Sequence, residues 1–363
     1  MSNAMPTRPP GQGEHFQLLD GLRGIAAIAV MISHHRPWYA PAGFASAYLA
    51  VDFFFMLSGF VIAYVYDRRL EAGMGFPQFL ASRIIRLWPL IMLSLVLAGV
   101  LHLVLAEAEA SGEVAAIVQL VVLGCFLIPM FGAANGLVYP LNNNIWSLFF
   151  EITINLIYAA VARWLVGRVF MAVLAVSAVA YAVPVLLGFD PGGIKAHVFW
   201  LGFARVAFPF FVGVGMSRLH RSGRMPGSSL PWLAAPLLLL LILVLPRFGG
   251  PLQLAAIFLL FPLIIWLGLA CEARLPRWGL LVSREAGRLS YPVYLLHMPV
   301  YFLLEHIGWP VWIPQMPGRG IVALIVAAGL SYIALFGFDE PVRRSLRRLA
   351  ARAGRGRAVR SPT

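Results

Sequence analysis

Charge is scarce in this sequence: of 363 residues only 12% are Asp, Glu, Lys or Arg, 60% are hydrophobic, and the mean hydropathy is +0.82. Soluble domains run near a quarter charged, so this composition excludes water as the only solvent. Cysteine is scarcer still. Only Cys125 and Cys271 are present, which excludes a disulfide framework and a Cys-based metal site; no metal is expected. A signal peptide's apolar region is lacking, because Pro6 to Gln17 is too polar, and Met1-Ser2-Asn3-Ala4 ahead of Met5 reads as a vector remnant. Residues 1–16 are therefore expected to be tag remnant and N-terminal tail. No repeat relates the two halves, and short interhelical loops leave no room for a second folded domain.

What the chain does have is apolar runs of about 20 residues, enough to cross a hydrocarbon core of roughly 30 Å. They fall at 21–36, 47–66, 86–105, 145–162, 169–188, 199–217, 230–246, 252–270, 289–306 and 319–338. The expectation is an all-α polytopic bundle of about ten transmembrane helices over residues 17–342, with a basic tail at 343–363. A further apolar stretch, 114–130, is short and runs into a loop holding Gly, Pro and Asn. With a cytoplasmic N-terminus, the inner segments collect Arg68, Arg69, Arg83, Arg86, Arg163, Arg168, Arg218, Arg221, Arg224, Arg274, Arg277, Arg284, Arg288 and the arginines from Arg343 to Arg360. The outer segments keep Arg36, Lys195, Arg247 and Arg319. If 114–130 also crossed, the later arginine-rich loops would face outward against the positive-inside tendency, so it reads as a re-entrant or surface-lying outer helix. This topology puts Cys125 and Cys271 on opposite sides. The net charge of +13 then reports which loops face the cytoplasm of a bacterial inner membrane, with both termini inside, and calls for no nucleic-acid partner.

Ionisable groups within membrane spans cost at least roughly 2.5–3.5 kcal/mol each, so those that persist usually face a cavity. They are Arg23 and His34 in the first span, Asp52 in the second, Glu151 in the fourth, Arg205 in the sixth and His297 in the ninth. Arg23 and His34 are close to three helical turns apart and share a face, about 16 Å from one another along the axis. Counting about 1.5 Å per residue puts His34, Glu151, Arg205 and Asp52 together in the outer third of the membrane, and His297 nearer the inner half. A plainer reading makes Asp52 and Arg205 a structural salt bridge. Histidine suits proton transfer near neutrality, and a neighbouring carboxylate can fix its tautomer.

Arg83 and Arg86, at i and i+3, put two guanidinium groups on one helical face at the inner surface, a spacing that can clamp the phosphates of a nucleotide-bearing donor such as CoA. Ordinary positive-inside arginines would look the same. The arginine tail most simply meets anionic lipid headgroups. Trp38, Tyr39, Tyr48, Tyr139, Trp200, Trp309 and Trp312 lie near the outer face, where they suit sugar stacking or an interfacial aromatic belt.

Several of these residues sit in ordered motifs: Leu19-Asp20-Gly21-Leu22-Arg23-Gly24 leading to His34; Val51-Asp52-Phe53-Phe54-Phe55-Met56-Leu57-Ser58-Gly59-Phe60; Arg83 to Arg86 before Pro89; Trp146-Ser147-Leu148 with Glu151; Leu289-Ser290-Tyr291 through Tyr294 to His297; and Glu340-Pro341 before the last arginines. In this order they resemble the membrane acyltransferase-3 family, which acylates sugars of bacterial surface polysaccharides and some small molecules. The resemblance implies an acyl-CoA donor, acetyl-CoA first, and a hydroxyl acceptor on a carbohydrate. It implies that His34, in an Arg-x10-His pair with Arg23, is essential for transfer, that Arg83 and Arg86 serve the donor, and that Glu151 matters. His35 is adjacent, but spacing from Arg23 favours His34. The hydrolase-like domain that some members carry after the last span is not present in this sequence, so acceptor selectivity is expected from the helical unit or a partner.

The expected mechanism has His34 deprotonating the acceptor as it attacks the thioester, Glu151 orienting the imidazole, and Asp52, Ser58, Arg205, Trp146 and His297 lining the cavity. His297 equally suits a bond to a neighbouring helix. A covalent acyl-histidine is equally compatible. The alternatives are acylation of a small hydrophobic molecule, or a transporter or flippase of a glycan precursor that uses the same buried charges without chemistry.

Overall fold

A lipid-facing backbone must satisfy its own polar groups, which makes helices the economical answer for apolar segments of this length. The computed structural model describes residues 15–40, 43–105, 111–133 and 135–358; the expected vector remnant, most of the N-terminal tail and the end of the basic tail lie outside them. The described chain is helical, with a single bridge between Leu137 and Lys195 as its only strand-like pairing. The helices are α1 (Gln17–His34), α2 (Ala50–Glu71), α3 (Phe76–Leu105), α4 (Ser111–Cys125), α5 (Ile145–Val161), α6 (Gly167–Leu186), α7 (Leu201–Arg221), α8 (Ala234–Val244), α9 (Gly250–Ala255) continued by a π-helical stretch into α10 (Phe261–Ala270), α11 (Arg277–His306), α12 (Gly320–Ile333) and α13 (Glu340–Ala358).

Every apolar segment marked as a span falls on a helix. Among the described residues, six helical stretches are long and apolar enough to cross a membrane: Ala47–Glu71, Phe76–Leu105, Ile145–Trp164, Gly167–Leu186, Gly250–Ala270 and Gln315–Arg352. Large apolar side chains such as Val176, Val179, Leu237, Leu241, Ile321 and Ile325 stand exposed on the outer faces of α6, α8 and α12. A surface of this kind suits lipid rather than water. Two helices start well before their apolar stretches: α3 at Phe76 rather than 86, and α11 at Arg277 rather than 289. Hydropathy marks where a helix meets lipid, not where its first turn forms, and this shifts the site residues on both.

Small residues let the central helices touch. A methyl group at Gly24 of α1 would lie 2.5 Å from Cβ of Ala286 on α11, and one at Gly21 would lie 2.6 Å from Oγ of Ser283. On α2 and α7, a methyl at Gly59 would collide with the carbonyl of Phe210, and one at Gly213 with that of Met56. Close backbone approach through small residues is the usual way membrane helices gain packing energy. Because the obstacle is backbone, Gly59→Val is expected to destabilise by the upper part of about 1–3 kcal/mol. In detergent that is a fall of roughly 5–10 °C in thermal midpoint, while Gly329→Ala, facing open space, leaves the midpoint unchanged. An unchanged midpoint for Gly59→Val would contradict the packing described.

Two anchors fix the helices around the site. The first-turn N–H groups of α1 have no partner within the helix, and Glu272, at the end of α10, accepts from Gln17 N and Leu18 N at 2.7 and 2.9 Å. Burial pushes the Glu272 carboxyl above its ordinary pKa. The second anchor exploits proline. Pro299 in α11 has no N–H, so the carbonyl of Leu295 one turn earlier loses its helical partner. Asn142 Nδ2 donates to it at 2.8 Å, and Asn144 Nδ2 donates to the carbonyl of Tyr294 at 2.8 Å. The segment preceding α5 is thus tied to the middle of α11. The stretch expected to lie outside the crossing set, α4, runs back along α3, with Gly99 facing Val121 and Leu95 facing Gly124. Trp88 Nε1 donates to the Cys125 carbonyl at 2.8 Å, and the chain returns through residues 126–144 to α5.

Candidate active site

Between α1, α2, α3, α5 and α11 lies a cavity of about 390 Å³. Its lining runs along α2 from Tyr66 to Val51, about 22 Å at 1.5 Å per residue. One end is polar: Asp20, Arg23, Arg86, Arg288, Glu340 and Arg343 stand there. The middle holds Ser58, Arg83 and Glu151 among Phe55, Val61, Ile62, Leu87 and Leu148. The other end is closed by Val51, Phe54, Ser147 and Tyr294.

The arginines do different jobs. Arg23 Nη1 pairs with Asp20 one turn away at 3.2 Å. Arg83, expected at the membrane surface, is 5% exposed because α3 starts earlier than its apolar stretch, and its Nη2 lies 3.6 Å from Glu151 Oε1. Arg86, one turn on, stays exposed at the rim. At the polar end Glu340 joins Arg288 at 2.8 Å and Arg344 at 3.0 Å. Glu151 accepts a 2.9 Å hydrogen bond from Ser58 Oγ. Its partners are therefore Ser58 and Arg83, not the imidazole of His34 that it was expected to orient.

Asp52 and Arg205 form a separate, enclosed unit. Arg205 donates from Nε to Asp52 Oδ1 at 3.2 Å and from Nη2 to Oδ2 at 2.9 Å, and also reaches the carbonyls of Tyr48 and Gly192 at 3.0 and 3.4 Å. Tyr181 donates to Asp52 at 3.1 Å, and the Trp146 ring lies under the guanidinium at 5.1 Å. Asp52 is 0% and Arg205 5% exposed. A pair so completely bonded is a structural brace, and none of Asp52, Arg205 and Trp146 borders the cavity they were expected to line. Of that set, Ser58 does.

His34 has a partner the sequence did not foresee. Its Nδ1 lies 2.9 Å from Nε2 of His297, and the two rings stack with centroids 5.0 Å apart. His297, expected nearer the inner half, is level with His34 because α11 begins at Arg277. It is fully buried, bonded through Nδ1 to the carbonyl of Val293 at 2.9 Å, and approached by Asn144 Nδ2 at 3.3 Å. His34 itself is exposed. Its neighbour His35 turns away to pair with Glu305 at 3.3 Å and pack against Trp38.

Neither histidine borders the cavity, but the wall between is thin. Tyr294 lines the cavity and meets the His297 ring edge-on at 6.3 Å. Its hydroxyl is 2.7 Å from Ser147 Oγ, which in turn donates to the carbonyl of Asn144 at 3.0 Å. Asn144, Ser147 and Tyr294 thus connect the cavity's closed end to the histidine pair. Asn144 carries no charge to mark it in the sequence; its one signal there is the run Asn142-Asn143-Asn144 at the head of an apolar helix.

The comparisons with known proteins agree with the motifs. The family model described as an acyltransferase domain, that of acyltransferase-3, matches residues 16–336. The chain is 35% identical to "Protein 2 in picA locus" of Rhizobium radiobacter over 187 residues, 48% of this chain and 95% of that protein. It is 26% identical to "Putative peptidoglycan O-acetyltransferase YrhL" of Bacillus subtilis (strain 168) over 90% of this chain and 54% of that protein. The chain thus spans about half the length of the second relative. No solved structure matches significantly.

Proposed function

The chain belongs to the acyltransferase-3 family, and from that premise we propose that it is a membrane-embedded O-acyltransferase that moves an acetyl group from acetyl-CoA to a hydroxyl of a cell-surface carbohydrate. The observation that carries this reading is the cavity, which opens among arginines and ends at a wall backed by a histidine pair. The CoA phosphates sit at the polar end, held by Arg86 and Arg23 as charge-assisted contacts. Arg83 is deeper and already compensated by Glu151, so it serves to hold that carboxylate in the wall of the path rather than as a free clamp. The pantetheine arm follows the middle along Phe55, Val61, Ile62, Leu87 and Leu148, and its thioester reaches Ser147 and Tyr294.

His34 takes the acceptor's proton as the hydroxyl oxygen bonds to the acyl carbon; the C–S bond breaks, and the proton leaves with the CoA thiolate. For the carbonyl and His34 to meet, the Tyr294 ring has to turn aside. In this reading about ten helices cross a bacterial cytoplasmic membrane with both termini inside, the donor enters from the cytoplasm, and the exposed Arg347, Arg348 and Arg352 of α13 meet anionic lipid headgroups.

Arg86→Ala is expected to raise the KM for acetyl-CoA about tenfold with kcat little changed, the mark of an interaction made equally in ground and transition states. A fall in kcat at unchanged KM would place Arg86 in the chemistry instead. Mass spectrometry of surface polysaccharide from a deletion strain tests the function itself. Acetyl esters should disappear and return with the wild-type gene; an unaltered acetylation pattern would remove a surface polysaccharide as acceptor.

A further inference from the structure

We infer that His297, held by Asn144 and by its own helix, is a positioning residue that fixes the tautomer of His34 so that Nε2 of His34 carries the lone pair that accepts the acceptor's proton. The inference rests on the acyl-transfer reading above and adds to it an assignment of which nitrogen acts and why.

The carbonyl of Val30, one turn earlier on α1, also faces the His34 ring, and the bonds around His297 leave one consistent set of protons. The carbonyl of Val293 can only accept, so Nδ1 of His297, 2.9 Å away, must donate. A neutral imidazole carries a single N–H, which makes Nε2 of His297 an acceptor. Asn144 requires the same: its amide nitrogen, bonded to the Tyr294 carbonyl at 2.8 Å, has only hydrogens to offer to that Nε2 at 3.3 Å. His34 Nδ1, 2.9 Å from Nε2 of His297, is then the donor of that bond. The one proton of neutral His34 sits on Nδ1, and Nε2 is left bare.

The arrangement follows the logic of a catalytic triad, in which a third group sets the imidazole's tautomer and orientation. Here that group is a neutral ring. His297 is 0% exposed, and an ionised carboxylate at that place would bear a heavy desolvation penalty. During transfer His34 gains the hydroxyl's proton on Nε2 and passes it to the departing thiolate. His297 gains and loses nothing, but its accepted bond becomes charge-assisted and stronger while His34 is an imidazolium.

The test uses purified protein in lipid bilayers with acetyl-CoA and a carbohydrate acceptor, comparing wild type, His34→Ala, His297→Leu and His297→Gln. His297→Leu removes the acceptor; His297→Gln returns an oxygen near the place of Nε2. The leucine variant is expected to lose about 100-fold in kcat, as for loss of a correctly protonated base, with donor KM within about twofold. The glutamine variant is expected to regain about a tenth of wild-type kcat or more. Solid-state NMR of ¹⁵N-histidine-labelled wild type should show His34 protonated on Nδ1 and bare on Nε2, and that preference should weaken in His297→Leu.

Wild-type kcat in a folded His297→Leu protein, or a wild-type spectrum with the His34 proton on Nε2, would overturn the inference. Should the leucine variant fail to fold, the wild-type spectrum and the glutamine variant decide. Activity surviving in His34→Ala would instead remove His34 as the base on which the inference stands, and no acetyl transfer by the wild type with any acceptor would sink the transfer reading itself. An inactive His34→Ala beside a fully active His297→Leu would sink the inference alone.

Discussion

Replacing His34 by alanine is expected to lower CoA release in the presence of acceptor about 10³-fold, within the range that a positioned general base contributes, while the donor KM stays within about twofold. The ring does not border the cavity and is bonded to His297, so its removal leaves the arginines, Ser58 and Glu151 in place. Loss of donor affinity in this variant would mean that the ring touches CoA, which the geometry does not suggest. His35→Ala is expected to keep most of the activity, because His35 pairs with Glu305 and packs on Trp38 instead. If the two variants exchanged phenotypes, His35 would be the base, and the spacing from Arg23 would have misled.

Asp52→Ala is expected to act on stability rather than chemistry. Removing the carboxylate strands a guanidinium that is 5% exposed, and breaking a buried pair from one side costs about 3–5 kcal/mol. At about 2–4 °C per kcal/mol for a chain somewhat smaller than this one, the thermal midpoint should fall by roughly 10 °C. Activity per folded molecule at low temperature should stay near that of the wild type. Replacing both partners, as Asp52→Leu with Arg205→Met, should recover much of the loss, since an apolar pair removes the stranded charge. A stable but inactive Asp52→Ala protein would put the carboxylate in the reaction and contradict its reading as a brace.

The sequence carried the helical class and the presence of the site residues further than their contacts. Low charge and recurrent apolar runs were enough to place a helix at each marked segment, and Arg23, Ser58, Arg83, Arg86 and Glu151 do meet in one cavity. Depth was less legible. Hydropathy locates the apolar part of a helix, so α3 and α11 were started late, which put Arg83 at a surface and His297 too deep. Partners were less legible still. Four ionisable groups expected to converge divide into three bonded sets, Asp52 with Arg205, Glu151 with Ser58 and Arg83, and His34 with His297. Which pairs form depends on helix rotation, and sequence spacing fixes rotation only within one helix. Asn144, Ser147 and Tyr294 join the cavity to the histidines through neutral groups, and a neutral side chain in an apolar span carries no cost that would mark it in the sequence.

Transfer in proteoliposomes tests the central claim most directly. Acetyl-labelled acetyl-CoA is given to purified wild type and His34→Ala in the presence of a carbohydrate acceptor, and acetyl ester and free CoA are counted together. The wild type should form one ester for each CoA released, and His34→Ala should form almost none of either. Movement of unmodified carbohydrate across the bilayer with no CoA released would contradict acyl transfer and make the buried charges a transport path.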